Sequence, residues 1–504
     1  MSDNGSFSDG NQDWEDPAEQ AKTKKRPSIA SVVISVLLVA AIVTGVAILG
    51  RTTLLPTGWY VAFLAADVVL GAVAVVLLFL SSPGKHKLRF WLATALSVVM
   101  AVGNLGVAKV GYDYLHTVNN IQPPKSDTIL YDIVVLADGP TEVSQLSQSV
   151  MGEVDNDPLA LAVHGQVAQR VKVTFQPCPT WTGMVDSLTN KDISSMVIQD
   201  GFMQVLSDAN PDQYDTLKII GSFEVDTSLA AKPTPSATPS ASSSASAEPQ
   251  NSYILYISGI DTFGSISTRS RSDVNILMVV NPDTGKVLLV NTPRDFYVQL
   301  RGTTGLPDKL THSGVYGIDV SVGTMEDLYD ININYYLRIN FNSLITIIDT
   351  LGGVDVNSEY AFSSRGYTFV EGMNHMDGQA ALAFSRARYN FAGGDRVRGQ
   401  NQERVIEALI KKISQPSMLM NYTQIMNSIQ DCIQTSMPQD VISAQVRQQL
   451  ASGTQWQVTS TSVDGTGAMD YSYSYPGQRL YVMVPDQSTV DLAKSMIQST
   501  LNGA

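Results

Sequence analysis

The fold of this chain is decided between residues 253 and 292 by three apolar segments: Tyr253–Ile260 (YILYISGI), Asn275–Asn281 (NILMVVN) and Val287–Thr292 (VLLVNT). Each is rich in residues that favour strands and has the length of a buried strand. The turn Asn281-Pro-Asp-Thr-Gly285 joins the second segment to the third. The segments predict an antiparallel meander, in which the end of the first strand, the start of the second and the end of the third share one edge of the sheet.

Charged side chains collect at that edge. Asp261 follows the first strand, Asp273 opens the second, and Arg294 follows the third. Arg269 and Arg271 lie in the loop between the first two strands. Carboxylates beside guanidiniums suit a hard divalent cation together with a phosphate-bearing ligand better than they suit an apolar core.

Arginine is strongly favoured over lysine in this part of the chain. Residues 251–404 contain eleven arginines but only two lysines, Lys286 and Lys309, whereas residues 112–268 contain one arginine, Arg170. A guanidinium can bind two phosphate oxygens at once, while an ammonium offers a point charge. The clustering therefore indicates oriented phosphate recognition, with surface pairing to nearby carboxylates as the alternative for each single arginine.

A second basic group lies further along the chain. We expect Arg386 and Arg388 in an extended segment, where they point to the same side, because on a helix they would diverge by about 200°. Asp395 follows, and Arg398 and Gln402 are four residues apart and so share one helix face. An amphipathic helix with exposed charges is the alternative for this last group.

The remaining pattern predicts one α/β domain over residues 251–504, an α-β-α sandwich with a mixed, largely antiparallel sheet. Its further expected elements are strands at Ile333–Phe341, Gln455–Val463 and Leu480–Val484, and helices at Asn342–Leu351, Asp377–Phe384 and Val397–Ile413.

Three apolar runs in residues 29–110 predict membrane-spanning helices: Ile29–Gly50, Val61–Leu80 and Phe90–Ala108. Each has the roughly 20 residues needed to cross the hydrocarbon core. Basic clusters at residues 22–26 and 85–89 predict a cytosolic N-terminus, with the bulk of the chain outside the cell membrane. Residues 1–28 are expected to be a disordered cytosolic tail.

Residues 126–228 predict a small extracellular α/β accessory module, and residues 229–250 a linker of Pro, Ala, Ser and Thr. The module's expected elements are strands at Ile129–Leu136, Val171–Phe175, Ser194–Gln199 and Leu217–Phe223, and a helix at Ser144–Met151. This order is similar to one lobe of an extracellular solute-binding protein. It leaves open a ligand site, a spacer and a docking module.

Composition excludes several other classes of protein. The formal net charge of −14 opposes general binding to nucleic acid, which requires a basic face. Cys178 and Cys432 cannot form a disulfide framework, although they allow either one long-range disulfide or two free thiols. The five histidines lack zinc-ligand spacing, so a zinc site has little support.

Six motifs in order resemble the LytR-CpsA-Psr family, over residues 253–413. They are Gly259-Ile-Asp261, Arg271-Ser-Asp273, Thr292-Pro-Arg-Asp295, Leu351-Gly-Gly353, Ala381-Leu-Ala-Phe-Ser-Arg-Ala-Arg388 and Gly394-Asp-Arg-Val-Arg398. Many members have Arg-Gln in the last helix, whereas this chain has Asn401-Gln402.

The resemblance implies a membrane-anchored phosphotransferase of the Gram-positive cell envelope. It would move a glycopolymer such as teichoic acid from a polyprenyl pyrophosphate carrier to a peptidoglycan hydroxyl, with Mg²⁺ or Mn²⁺ as cofactor. By motif position, Asp261 and Asp273 would hold the metal, and the pyrophosphate would be bound by Arg271, Arg294, Arg386, Arg388, Arg398 and Gln402. Arg294, Arg271 and Asp395 would be catalytic, and Asp295 and Asp395 are the candidates for the general base.

Because the polyprenyl chain of the carrier must be shielded from water, we also expect an apolar tunnel between the sheet and the helices. Its lining is expected to include Leu337–Ile348 and Ala380–Phe384. A long polyprenyl chain would gain about 0.8 kcal/mol per buried CH₂ there. Two other functions fit the same residues. One is a sensory protein that binds the lipid-linked precursor without chemistry, and the other is a hydrolase that releases the polyprenyl phosphate to water.

Overall fold

The computed structural model describes residues 28–52, 57–81, 87–121, 127–230, 252–260, 266–415 and 432–503, together with 418, 425, 428 and 429. The chain forms two compact units. One holds the apolar helices up to Gly111, and the other holds the chain from Tyr112 onwards, together with residues 52–54.

The first unit is built from three helices that are long and apolar enough to cross a membrane. They are α1 (Ile29–Thr52), α2 (Thr57–Leu80) and α3 (Lys87–Ile121), so the three predicted apolar helices are confirmed. Asn104 of α3 donates a hydrogen bond to Asp67 of α2 over 3.2 Å. The acidic residue in the second span therefore makes a helix–helix contact.

The second unit begins with a five-stranded sheet, the accessory module. Its elements are β1 (Thr128–Leu136), β2 (Val150–Val154), α4 (Ala160–Ala168), β3 (Thr174–Cys178), α5 (Trp181–Thr189), β4 (Ser195–Gln199), α6 (Asp200–Ala209), α7 (Pro211–Tyr214) and β5 (Leu217–Asp226). The strand order is β3-β2-β4-β1-β5, with β2 parallel to β3 and β4 and β1 antiparallel to β4 and β5.

One predicted element of this module is wrong. The helix expected at Ser144–Met151 is a short 3₁₀ turn, Val143–Leu146, followed by strand β2. Gln148 adopts a positive φ of 62°, which interrupts a helix, and Val150 and Met151 then pair with β3. Helices α4 and α5 were not predicted.

The rest of the second unit contains a six-stranded mixed sheet of order β16-β11-β6-β7-β8-β17. Its strands are β6 (Tyr253–Ile260), β7 (Ser272–Asn281), β8 (Lys286–Asn291), β11 (Tyr335–Ile339), β16 (Ile433–Thr435) and β17 (Gln457–Ser462). The meander β6-β7-β8 is antiparallel, as predicted. β11 is parallel to β6 and β17 is parallel to β8, while β16 is antiparallel to β11.

The smaller strands form two-stranded sheets: β9 (Tyr297–Val298) with β10 (Asp308–Lys309), β12 (Val354–Ser358) with β15 (Gly372–Met376), β13 (Phe362–Ser364) with β14 (Tyr367–Phe369), and β18 (Gly465–Tyr471) with β19 (Arg479–Pro485). The strand predicted at Leu480–Val484 therefore exists but does not belong to the main sheet as expected. It pairs along its whole length with β18, the strand that precedes it in the chain.

Alternate residues of each strand point to opposite sides of the main sheet, and helices pack on both of its faces. In chain order, the helices described in this domain are α8 (Ser313–Tyr316), α9 (Ile318–Tyr329), α10 (Phe341–Thr350), α11 (Gly378–Ser385), α12 (Asp395–Ile413), α13 (Gln439–Ser452) and α14 (Gln487–Leu501). Ile254 and Tyr256 of β6 pack in the core with residues of α9 and α14. Leu255 and Ile257 pack in the core with Ile406 of α12, so the predicted α-β-α sandwich is confirmed.

Candidate functional site

The site lies at the predicted edge of the meander. The register of β6 against β7 shifts after Gly259, so that Ile260 lies opposite Ser272. A Cβ atom on Gly259 would come within 2.7 Å of the Val274 side chain, so the glycine allows the strands to approach at their ends. Asp261, the first predicted metal ligand, lies outside the described residues.

Asp273 is held at this edge by two hydrogen bonds. Its Oδ1 accepts from Thr311 Oγ1 over 2.7 Å, and its Oδ2 accepts from Arg294 Nη1 over 2.8 Å. Burial alone would raise the pKa of Asp273, but the guanidiniums of Arg294 and Arg271 outweigh burial and hold that pKa well below its usual range. Asp273 is therefore an ionised carboxylate at neutral pH.

A cavity of about 320 Å³ opens beside this pair. Its polar lining is Asp273, Arg294, Asn340, Arg365, Ser385, Arg386, Arg388, Arg398 and Gln402. Its apolar lining includes Ile260, Val274, Ile339, Phe341, Leu344, Leu382, Val405 and Ile406. The cavity thus joins a strongly cationic region to apolar walls supplied by the strand ends and by α10, α11 and α12.

Arg386 and Arg388 both line the cavity, although the backbone differs from the prediction. Arg386 caps the C-terminus of α11 with helical dihedrals, φ −97° and ψ −4°, and is not extended. Its guanidinium carbon lies 4.1 Å from the centre of the Phe341 ring, a cation–π contact that orients it. The two side chains are brought to one cavity by the turn that ends α11.

Arg398 and Gln402 lie one turn apart on α12 and both line the cavity. Asn401, where many family members have arginine, is buried. Its Oδ1 accepts from Arg404 Nη1 over 3.0 Å, and its Nδ2 lies 3.5 Å from the Phe384 carbonyl oxygen. The side chain at position 401 therefore stabilises the contact between α12 and α11 and is not among the residues that line the cavity.

Sequence reasoning missed Arg365 as a site residue. It occupies the turn between β13 and β14 with a φ of 50° and lines the same cavity. Its only sequence signal was its membership of the arginine-rich region and the following Gly366, which indicates a turn.

Asp208 of the accessory module is the second residue that sequence reasoning missed. Its Oδ2 accepts a hydrogen bond from Arg294 Nη2 over 2.8 Å and another from Arg271 Nη1. No local pattern could have placed it, because it belongs to α6, in a different sheet-based module. Arg271 is not among the residues that line the cavity. It is linked to the cavity because it shares the Asp208 carboxylate with Arg294.

Other arginines of the enriched region have structural roles. Arg338 is 1% exposed, burial lowers its pKa, and its Nη2 donates to the Thr268 carbonyl over 2.7 Å. Arg301 pairs with Glu326 on the surface over 2.7 Å. Arginine enrichment thus reflects both the cavity and the framework around it.

The two candidates for the general base differ in position. Asp295 is buried, its Oδ1 lies 3.1 Å from Lys309 Nζ, and it does not line the cavity. Burial would raise its pKa, but Lys309 and Arg294 outweigh burial and lower it. Asp395 is the first residue of α12, and its side chain lies outside the described part of the chain.

Among the described side chains, no group of three or more histidines, cysteines or carboxylates is placed to hold a metal ion. Asp273 is the one predicted metal ligand whose position is described. Cys178 is buried and Cys432 half-buried, and both are free thiols.

The chain matches a family model and several curated proteins. The model described as the LytR_cpsA_psr family matches residues 220–489. A Bacillus cereus protein named polyisoprenyl-teichoic acid–peptidoglycan teichoic acid transferase TagU is 36% identical over 187 residues, which are 37% of this chain and 60% of that protein. An Enterococcus faecalis protein of the same name is 33% identical over 227 residues, 44% of this chain and 73% of that protein.

A solved structure also matches half of this chain. The crystal structure of B. subtilis TagU has 28% sequence identity and a TM-score of 0.40, with 50% of this chain and 96% of that chain covered. The chain spans about 60% of the length of the Bacillus cereus relative.

Proposed function

Because this chain belongs to the LytR_cpsA_psr family, we propose that it is a membrane-anchored phosphotransferase. It moves a glycopolymer from a polyprenyl pyrophosphate carrier to a hydroxyl of peptidoglycan and so forms a phosphodiester. The single observation that carries the proposal is the cavity that Arg294, Arg386, Arg388 and Arg398 line together with apolar side chains. The names of the relatives, which are teichoic acid transferases, support a glycopolymer of that class.

The two parts of the cavity match the two parts of such a donor. Charge-assisted hydrogen bonds contribute about 1.5–3 kcal/mol each, so several guanidiniums are sufficient to hold a pyrophosphate. Leu344, Leu382, Val405 and Ile406 offer the first carbons of the lipid an apolar surface. A soluble phosphate-binding site would not need that surface.

In the proposed reaction, the acceptor hydroxyl oxygen attacks the phosphorus that carries the glycopolymer. A new P–O bond forms, the bond between that phosphorus and the bridging oxygen breaks, and polyprenyl phosphate leaves with the bridging oxygen and the bond's electron pair. Negative charge grows on the leaving phosphate and the equatorial oxygens, and fixed guanidiniums stabilise it without reorganising. Arg294 is suited to this role because its hydrogen bond to Asp273 fixes its plane.

The hydroxyl proton requires an acceptor outside the pyrophosphate-binding set. Asp295 is a poor candidate, since it is buried against Lys309 and is not part of the cavity lining. Asp395 opens α12 one turn before Arg398, which lines the cavity. We assign the general base to Asp395.

A divalent cation, Mg²⁺ or Mn²⁺, fits the chemistry of the donor set. Asp273 is ionised and offers hard oxygen ligands, and Asp261 follows the adjacent strand end in the sequence. These two carboxylates would hold the ion, which when bound would neutralise charge on the pyrophosphate oxygens.

The orientation proposed for the chain follows from its basic residues. Clusters at residues 22–26 and 85–89 flank the apolar helices on the side that the positive-inside rule assigns to the cytosol. The module and the main domain then lie outside the cell membrane, where peptidoglycan is.

Transfer by the full-length protein in detergent tests the proposal. The protein is incubated with lipid-linked glycopolymer and Mg²⁺, with and without peptidoglycan fragments. Glycosyl phosphate on the fragments, formed only when they are present, supports transfer. Release of polyprenyl phosphate by hydrolysis, without transfer to the fragments, indicates a hydrolase. Binding of the donor without turnover indicates a sensory protein. Either result overturns the proposal.

A further inference from the structure

Helix α6 of the accessory module carries three polar side chains at intervals of four residues, Asp200, Gln204 and Asp208, and the last two bond to the main domain. Residues four apart share one helix face. Gln204 Nε2 donates to Asp200 over 2.5 Å, while Gln204 Oε1 accepts from Ser270 Oγ over 3.0 Å. This polar face therefore follows the backbone that leads into Arg271 and ends at the candidate site.

The module is fixed on the main domain by independent contacts. Thr128 of β1 forms a parallel bridge to Thr268. A Cβ atom on Gly201 would come within 2.7 Å of Val315, so α6 packs closely on α8. Trp181 Nε1 donates to the Ser474 carbonyl over 3.0 Å. The position of α6 over Arg271 is therefore determined by packing as well as by charge.

At the end of this face, one carboxylate oxygen accepts hydrogen bonds from two guanidiniums, as a phosphate oxygen would. Asp208 Oδ2 accepts from Arg271 Nη1 and from Arg294 Nη2, the latter over 2.8 Å. The Asp208 side chain is 29% exposed, against 10% and 11% for the two arginine side chains. Because the two guanidiniums are more buried than the carboxylate, the Asp208 side chain is the partner that can rotate towards solvent.

From this geometry we propose that Asp208 is an internal anion that occupies the phosphate position between Arg271 and Arg294 and is displaced by the donor pyrophosphate. The inference rests on the proposed function of the cavity and adds a role for the accessory module. In the absence of donor, Asp208 offsets the repulsion between two neighbouring guanidiniums. When donor binds, the pyrophosphate must break these contacts, so the module sets the affinity of the site.

A productive role for Asp208 in catalysis is the competing assignment. Oδ2 of Asp208 is bonded to Arg271 and Arg294, two guanidiniums that the proposed function assigns to the pyrophosphate, as expected of a competing anion. The geometry therefore favours competition with phosphate over proton transfer.

The test measures binding of inorganic pyrophosphate and of geranylgeranyl pyrophosphate to the full-length protein in detergent, by calorimetry at fixed salt. Asp208→Asn removes the charge and keeps the shape. Asp212→Asn on α7 is the matched control, because Asp212 is an exposed acid of the same module. We expect Asp208→Asn to bind both probes about tenfold more tightly, since the competing negative charge at both guanidiniums is lost, and Asp212→Asn to change affinity less than twofold.

A second variant guards against misfolding. Gln204→Ala loosens α6 from Ser270 without changing charge, and we expect a smaller gain in affinity in the same direction. Thermal unfolding and circular dichroism of each variant are compared with those of the wild-type protein.

The outcomes separate this inference from the proposed function. Unchanged or weaker binding by Asp208→Asn, with wild-type binding intact, overturns the inference alone. Loss of transfer by Asp208→Asn with unchanged binding also overturns it, in favour of a catalytic role. If neither wild-type protein nor variants bind pyrophosphate, the phosphate site and the inference fail together.

Discussion

Arg294 and Asp273, 21 residues apart in the chain, are joined by a hydrogen bond of 2.8 Å between Nη1 and Oδ2. The same guanidinium reaches Asp208 of the accessory module through Nη2, also over 2.8 Å. One arginine of the cavity lining therefore contacts a carboxylate from the main domain and one from the module.

We predict that Arg294→Ala lowers transfer about a hundredfold to a thousandfold, as removal of a fixed charge at a reacting centre typically costs about 2.7–4 kcal/mol. It also leaves the half-buried Asp273 without the guanidinium that bonds to it over 2.8 Å, so a loss of roughly 1–3 kcal/mol in the free energy of unfolding is expected. Rates of glycosyl phosphate transfer and chemical denaturation measure the two effects.

Arg301→Ala is the control for that change. Arg301 is an arginine of the same domain that pairs with Glu326 and Asp327 and does not line the cavity. Transfer by Arg301→Ala should stay within about twofold of the wild-type rate, because exposed pairs contribute little. Equal losses in the two variants would show that charge alone, and not position, is responsible.

Leu382→Trp is predicted to weaken binding of the lipid part of the donor without weakening binding of its pyrophosphate headgroup. Leu382 lies in the apolar lining of the cavity, and the larger ring fills space that the first isoprene units would occupy. Binding of geranylgeranyl pyrophosphate should weaken at least about tenfold, given about 0.8 kcal/mol per displaced CH₂, while inorganic pyrophosphate should bind as before. Val370→Trp, on an exposed loop, is the control and should change neither; equal weakening of both probes by Leu382→Trp would argue against a lipid site there.

Glu403 gives a prediction for the pH dependence of stability. Burial raises the pKa of this carboxyl from 4.5 to about 8, with Ser462 Oγ as a hydrogen-bond donor at 3.4 Å. Between these values the folded protein holds a proton that the unfolded chain has released. The stabilisation is therefore fully present below pH 4.5 and is lost as pH rises through 8.

Glu403→Gln should abolish that dependence, because the amide is neutral at every pH. The difference in the free energy of unfolding between the variant and the wild-type protein should therefore be larger at pH 9 than at pH 5. We expect it to shift by roughly 1–3 kcal/mol in favour of the variant. Urea denaturation at the two pH values measures the change. A parallel pH dependence in both proteins would show that Glu403 is not the titrating group.

Gly314→Ala should disturb the site from a distance. A Cβ atom on Gly314 would lie 2.4 Å from the Ser270 carbonyl oxygen and 2.7 Å from the Ser272 nitrogen, so α8 or the Arg271 backbone must shift. We expect a loss of roughly 1–3 kcal/mol in unfolding free energy and weaker pyrophosphate binding. Gly302→Ala, in open space though at positive φ, should reduce stability without changing binding; weaker binding in both would point to general destabilisation.

The meander and its edge could be predicted because the signals are local. Strand length, the Asn281 turn and antiparallel topology together place Asp273 near Arg294, and the structure shows them hydrogen-bonded. The backbone at Arg386 was less predictable, since the last turn of α11 continues to that residue as a helix cap. Its convergence with Arg388 results from where the helix ends and not from an extended strand.

Sequence by itself determined the three apolar helices, the antiparallel meander and the chemistry of the charged edge, because span length, residue period and turn type act between neighbours in the chain. Only the tertiary structure decided that Arg338 is buried against the Thr268 carbonyl, that Arg365 lines the cavity, and that Asp208 contacts Arg271 and Arg294. These contacts depend on packing between separate sheets and hairpins. Residues 63 and 86 positions apart meet there, and no periodicity in the sequence records which surfaces of two folded modules will be complementary.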